Sequence, residues 1–289
     1  MKLGEIYKRV LKYGKAKDPR KNKAGIKEFE DTAILYGSPE TEVRRIMVGI
    51  DIDPAEIIIA DQIRKSDGLD LVISHHPEGS AWAHFYEVMR LQADMLAKVG
   101  VSKFAAQKMI EQRMHEVERR VLPNNHTRTV DAARLLDMPL MCVHTPADNQ
   151  VEEFIYKVMA RSKPEKLKDV IRVLRNIPEY KMAEVDNAGP RILAGNPEKP
   201  VGRIFVEMTG GTEGSKEVYT KFAKLGIKTI ICMHLSEEHF TKVKEANINV
   251  IIAGHISSDN LGLNLLLDKV EDGEPLECLE CSGFRRVRR

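Results

Sequence analysis

The chain has 289 residues, of which 43% are hydrophobic and 30% charged, enough apolar material to bury a large core and too much for a disordered chain. With 45 Lys and Arg against 43 Asp and Glu the net charge is only +2, so nothing global points to a nucleic acid or a membrane surface as partner. Four Cys in a chain of this length, with Cys142 and Cys232 inside apolar runs, read as reduced thiols of a cytoplasmic protein rather than a disulfide framework.

No run approaches 18 consecutive apolar residues, and the Lys- and Arg-rich N-terminal 27 residues have no apolar stretch behind them, which excludes a membrane-spanning helix and a secretory signal from the reading. Eight Phe, seven Tyr and one Trp are too few for a stacking platform for single-stranded nucleic acid.

A basic N-terminal helix comes first. From residue 44 the hydrophobic period alternates between strand and helix. Residues 45–51 form a buried-strand run, 54–66 have helical spacing with Pro54 in the first turn, and 69–74 form a second strand. This βαβ pattern predicts a parallel sheet. A helical stretch over about 80–121, broken near Gly100, is followed by a helix over 125–137 and a strand over 139–143. Residues 149–176 predict two amphipathic helices split at Pro164, and 177–200, rich in Pro, Gly and Asn, a connector with short strands. Strands are then expected at 201–208, 228–233, 249–253 and 275–282, with helices at 214–226, 236–247 and 257–270.

The pattern predicts two α/β lobes with mixed or parallel sheets flanked by helices. The first lobe is set at 1–145 with a helical insertion over about 80–122, a helical connector at 146–200, and the second lobe at 201–289.

The chemistry-bearing residues fall at strand ends, where open α/β sheets place their ligands. His75-His76-Pro77 closes the strand at 69–74; neighbouring side chains on a regular strand point to opposite faces, but Pro77 breaks the pleat there. His144-Thr-Pro-Ala-Asp148 follows the strand at 139–143, and Gly254-His255-Ile-Ser-Ser-Asp259 follows the one at 249–253. In each, an imidazole and a carboxylate stand four apart across a strand-to-helix junction, on one side of a first helical turn. Such donors suit Zn, Mn, Fe or Ni rather than Ca or Mg, and five of them exceed what one catalytic zinc needs. The alternative is structural: one core and one solvated His, and Asp148, Ser258 and Asp259 as caps or first-turn acids.

Several further residues are candidates. Glu78 and Glu213 are possible general bases. Gly210, Gly211 and Ser215, in Thr-Gly-Gly-Thr-Glu-Gly-Ser between a strand and a helix, could read an anion with their amides, or form a tight turn only. His234 and His239 end or follow the strand at 228–233, one of them placed to line the crevice. Trp82 and His84 stand just past the His pair. Cys278 and Cys281 have zinc-ligand spacing but lie three apart on a strand, hence on opposite faces. The basic N-terminal segment and the Arg-rich run at 285–289 read as solvated tails.

On the segments 46–77, 144–148 and 250–259 the chain resembles the Nif-three-like proteins, some of which are labelled GTP cyclohydrolase I type 2. The resemblance implies a dinuclear metal centre held by His75, His76, Asp148, His255 and Asp259, with His144 as a neighbour; His234, from its strand-end position, is a further supporting group and proton-shuttle candidate. It also implies two divalent transition-metal ions per chain (Zn, Fe, Mn or Ni) and a toroidal homo-hexamer built from dimers. The family pattern has Glu where this chain has Asp259, one methylene shorter, and the stretches 80–121 and 163–200 fit it poorly. The expected function is a metal-dependent hydrolase acting on a phosphoester, nucleotide or cyclic amidine, with Glu78 or a free His managing protons. The alternative is a non-enzymatic metal-binding ring that stores, delivers or senses metal or scaffolds other proteins. Neither nucleic acid nor membrane is expected as partner.

Overall fold

A computed structural model describes residues 1–20 and 22–289. Helix α1 (Leu3–Lys17) opens the chain and is followed by strand β1 (Ala33–Tyr36). Then come β2 (Arg45–Gly49), α2 (Pro54–Asp67) and β3 (Leu71–Ser74), with β2 and β3 parallel. Helix α2 starts where a capping box, Asp53 with Glu56, precedes Pro54, and stops at Gly68. The expected long helical stretch is a set of pieces: α3 (Gly79–Ala83), a 3₁₀ turn at Phe85–Met89, α4 (Arg90–Val99) and α5 (Lys103–Val121), with left-handed Gly100 making the predicted break. Helix α6 (Arg128–Leu135) and strand β4 (Leu140–Cys142) lead into α7 (Thr145–Ser162).

The second half contains α8 (Leu167–Arg175), α9 (Pro178–Val185), β5 (Arg191–Ala194), β6 (Arg203–Glu207) and α10 (Val218–Lys224), then β7 (Ile227–Cys232), α11 (Glu237–Glu245), β8 (Asn249–Ile252), α12 (His255–Val270) and β9 (Glu277–Cys281).

Two mixed sheets result. The first has the order β1-β4-β3-β2-β9, the second β5-β8-β7-β6; in each the inner strands run parallel and one edge strand, β1 or β5, is antiparallel. The inner strands are buried and apolar, as parallel strands covered on both faces must be. Helices α1, α7 and α12 pack together beside the sheets.

The chain-order division needs three corrections. The last strand, β9, leaves the second lobe and pairs with β2, because α12 carries the chain back across the first sheet and Leu276 and Phe284 join that sheet's core. Strand β5, inside the 146–200 connector, is part of the second sheet through its bonds to β8, and α9 is a helix where short strands were expected. The C-terminal arginines are not a free tail: Arg286, nearly buried, lies 2.7 Å from Asp268 and 3.4 Å from Glu271, and Arg289 pairs with buried Glu179. Strand β1 had no signal, since all four of its residues are half-buried on an edge. No helix among the described residues is long and apolar enough to cross a membrane.

Candidate metal centre

The carboxyl ends of β3, β4 and β8 converge where the two lobes meet. His75 and His76 follow β3; Asp148 lies in the first turn of α7 after β4; His255 opens α12 after β8, with Asp259 one turn further on. His75 is fully buried, and its Nδ1 donates to the Val143 carbonyl at 3.0 Å. Its Nε2 is thereby turned toward two carboxylates, Asp148 Oδ1 at 3.5 Å and Asp259 Oδ1 at 3.4 Å. On the far side of Asp259, Oδ2 lies 3.5 Å from His76 Nε2 and 3.7 Å from His255 Nε2. The pleat does break after β3, and both adjacent imidazoles serve one cluster, their ring centroids 5.4 Å apart.

Two groups of donor atoms lie within 4.8 Å of one another, His75 with His76 and Asp259, and His75 with His144 and Asp148. His144 therefore stands inside the cluster, and its ring centroid is 4.8 Å from that of His75. Buried Asp31 holds it: Asp31 Oδ2 is 2.8 Å from His144 Nδ1 and accepts the Thr145 hydroxyl at 2.6 Å. Asp51 does the same for His76, accepting from Nδ1 at 2.6 Å. Carboxylates behind imidazoles fix ring orientation and raise basicity, as they do around metal ions. Asp51 follows β2 and shared the strand-end signal; Asp31 lies before β1, in a stretch with no periodic pattern.

The electrostatics are unresolved by the protein alone. Burial pushes the Asp148 carboxyl up to about 6 even though His144 and His75 pull it down. Burial works against the Asp259 anion too, but His75, His76 and His255 hold its carboxyl far below the usual range. Burial disfavours the His76 cation, yet Asp259 and Asp51 carry it to about 10, whereas burial leaves His255 at about 4. His75 Nε2, Asp148 Oδ1 and both Asp259 oxygens are buried without a hydrogen-bond partner. Buried polar atoms are rarely left so. Four of them aimed at one another, with a donor set of imidazole and carboxylate, fit bound divalent cations.

Outside the cluster a cavity of about 500 Å³ opens between the lobes and reaches His76, His144, His234 and His255. Glu78 lines it, its carboxyl raised to about 7 by burial. Trp82 lines it too, whereas His84 is exposed and pairs with Glu87. His234 lies 4.9 Å from the His255 ring centroid and is raised by its contact with Glu213. His239 is buried behind it, its Nε2 donating to the Gly214 carbonyl, so it shapes the loop and does not face the crevice.

The Gly-rich turn is closer to the tight turn than to the anion cradle, its alternative. Helix α10 begins only at Val218, three residues past Ser215, with Glu217 at its cap position. Gln92 donates to the carbonyls of Gly210 and Thr212, the Thr212 amide to the Gly210 carbonyl and the Gly214 amide to Glu207, so these groups are engaged within the protein. Gly211 lines the cavity, but Gly210 and Ser215 do not. Cys278 packs against one face of the first sheet and Cys281 against the other, and neither joins a group of metal-type donors.

These features define a two-lobed α/β protein whose strand ends meet in a buried imidazole–carboxylate cluster that could hold metal ions. The chain is similar to a NIF3 superfamily protein from Sphaerobacter thermophilus at 29% identity, over 96% of this chain and 97% of that one, with a TM-score of 0.83. It is also similar to reduced HcgD from Methanocaldococcus jannaschii (12% identity, 97% of each chain, TM-score 0.59) and to a Bacillus cereus protein related to NIF3 (11%, 98% and 96%, 0.52); at such identities the likeness is one of fold. No family model and no curated protein matches the chain. The likeness to the Sphaerobacter thermophilus protein runs over nearly the whole of both chains and supports a NIF3-like fold for this chain.

Proposed function

We propose that the protein binds two divalent transition-metal ions, of Zn, Fe, Mn or Ni, through His75, His76, Asp148, His255 and Asp259, with His144 as a further donor, and that it is a metal-dependent hydrolase. The observation that carries this reading is the set of orphaned buried atoms, His75 Nε2, Asp148 Oδ1 and both oxygens of Asp259. His75, with Nδ1 committed to Val143, has one nitrogen to give and serves one ion. A second ion would draw on His76, His144 and His255 together with the carboxylates of Asp148 and Asp259.

When bound, such ions supply Lewis acidity and lower the pKa of water toward neutrality. The chain's own contributions are orientation, through Asp31 and Asp51, and acid–base groups along the cavity, Glu78 and the His234–Glu213 pair. The cavity beside His76 and His255 favours an enzyme over a storage site, since a site closed by protein ligands leaves a substrate no approach.

The test is elemental analysis of untagged protein purified without chelator, as wild type and Asp148→Ala. About two transition-metal ions per chain in the wild type, lost in the variant, are expected. A wild type that holds no metal and takes up none from added Zn, Mn or Fe refutes the reading. Self-association into a homo-oligomer, the hexamer included, is measured on the same sample by light scattering.

A further inference from the structure

The cavity outside the cluster differs in character from a phosphate-binding site. Its wall on the first lobe carries three carboxylates, Asp51, Asp53 and Glu78, and the one guanidinium lining it among the described residues is Arg128. Deeper in, the space between the cluster and the Gly-rich turn adds Glu207 and Glu213. Three further aspartates stand on the cluster itself, Asp31, Asp148 and Asp259, and Asp51 of the wall backs its His76. Their charges offset those of two divalent ions, which leaves no cationic surplus for an incoming polyanion. Nor does the turn offer a helix N-terminus, as Glu217 precedes α10. Sites for nucleoside phosphates are built the other way, from Arg and Lys forks and unengaged amides.

The same cavity offers a ring platform. Trp82, the chain's single Trp, is stacked on Phe85 with ring centroids 5.3 Å apart and planes 24° apart, and the edge of Phe85 meets His144 at 5.6 Å. Both aromatics line the same cavity as the acidic wall, Trp82 one helical turn from Glu78. An aromatic face attracts a planar cation and an acidic wall pairs with it. A space of about 500 Å³ suits a small molecule.

We infer that this cavity selects a small planar ring bearing a positive charge, of the aromatic amidine class, and rejects polyanions. The inference rests on reading the cluster as a metal site and narrows the substrate from phosphoester, nucleotide or amidine to the last of these. Trp82 is its own reporter. Metal-loaded, full-length protein is titrated with benzamidine, with its uncharged counterpart benzamide, with benzenesulfonate and with inorganic triphosphate, following Trp82 fluorescence.

Benzamidine is expected to saturate, about tenfold more tightly than benzamide, as befits one hydrogen bond to a charged group. Benzenesulfonate and triphosphate are expected to produce no saturable change. In the Asp53→Asn/Glu78→Gln double variant benzamidine falls to the affinity of benzamide; Asn caps a helix as well as Asp does, so α2 is kept. The inference is overturned if triphosphate or benzenesulfonate binds as tightly as benzamidine, if the double variant keeps the tenfold preference, or if no probe saturates. Metal content measured on the same sample separates the two readings. Protein without metal refutes the metal centre, whereas loaded protein without the charge preference refutes only the substrate class.

Discussion

Replacing Asp148 by Asn should change stability in opposite directions with and without metal. In the metal-free protein, burial raises the Asp148 carboxyl from 3.8 to about 6. A folded-state pKa above the unfolded one means the native state binds the extra proton, so stability is full below about pH 4 and falls as pH rises through 6. A shift of roughly two units costs about 3 kcal/mol at neutral pH, at 1.36 kcal/mol per unit. That is an upper bound on the gain from Asn, because His144, itself raised by Asp148 and Asp31 against the pull of burial, loses one partner. With metal bound the balance reverses: at a free concentration a thousandfold above Kd, linkage contributes about 4 kcal/mol to the wild type. For a chain this long the unfolding entropy is about 0.6 kcal/mol/K, so the metal is worth about 7 °C in Tm and the substitution, in chelator, up to about 5 °C. Thermal melts of both proteins at pH 7, with EDTA and with added Zn, read both numbers. A variant that melts below the wild type in EDTA, or a wild type whose Tm ignores metal, would refute the reasoning.

Asp31→Asn keeps the shape but weakens the group that orients His144 and Thr145; metal affinity should fall about 10- to 100-fold in a chelator competition while the circular dichroism spectrum is unchanged. Gly14 on α1 faces Pro146 so closely that an added Cβ would meet its Cβ at 2.6 Å and its Cα at 2.9 Å. Gly14→Ala should therefore cost about 1–3 kcal/mol in urea unfolding. Arg286→Ala removes the nearly buried partner of Asp268 and Glu271, leaving Glu271 only Arg288 and Asp268 only the Arg289 amide. Loss of a nearly buried pairing predicts about 3 kcal/mol of destabilisation by the same assay, whereas a solvated tail would predict none.

The βαβ start of the first lobe was legible because a Pro-led helix lies between two continuous apolar runs, and the residues 75, 76, 148, 255 and 259 were legible because each follows such a run. What the sequence concealed was non-local. Whether β9 pairs with β2 depends on where α12 delivers the chain, and five residues of moderate hydrophobicity carry no mark of their neighbour. Asp31 lies 113 residues from His144 and in no periodic segment, so its hydrogen bond could be found only after folding. The Arg-rich terminus misled for a related reason: charge runs are read as solvated unless their partners, here on α9 and α12, are known.

The cluster itself depends on two helices coming unusually close. Asp148 is borne by the first turn of α7 and Asp259 stands one turn into α12, and both must reach the single free nitrogen of His75. A Cβ at Gly262 would meet the Ala147 carbonyl oxygen at 2.6 Å, so glycine is what allows the two helix starts to approach. Gly262 sits mid-helix, where glycine costs about 1 kcal/mol relative to Ala through chain entropy alone. Tyr180 and Gly254 then lock α12 through Ser258, whose hydroxyl contacts both. The fold thus spends backbone stability to bring two buried carboxylates together, an arrangement that is unfavourable by itself and becomes favourable once a divalent cation lies between them.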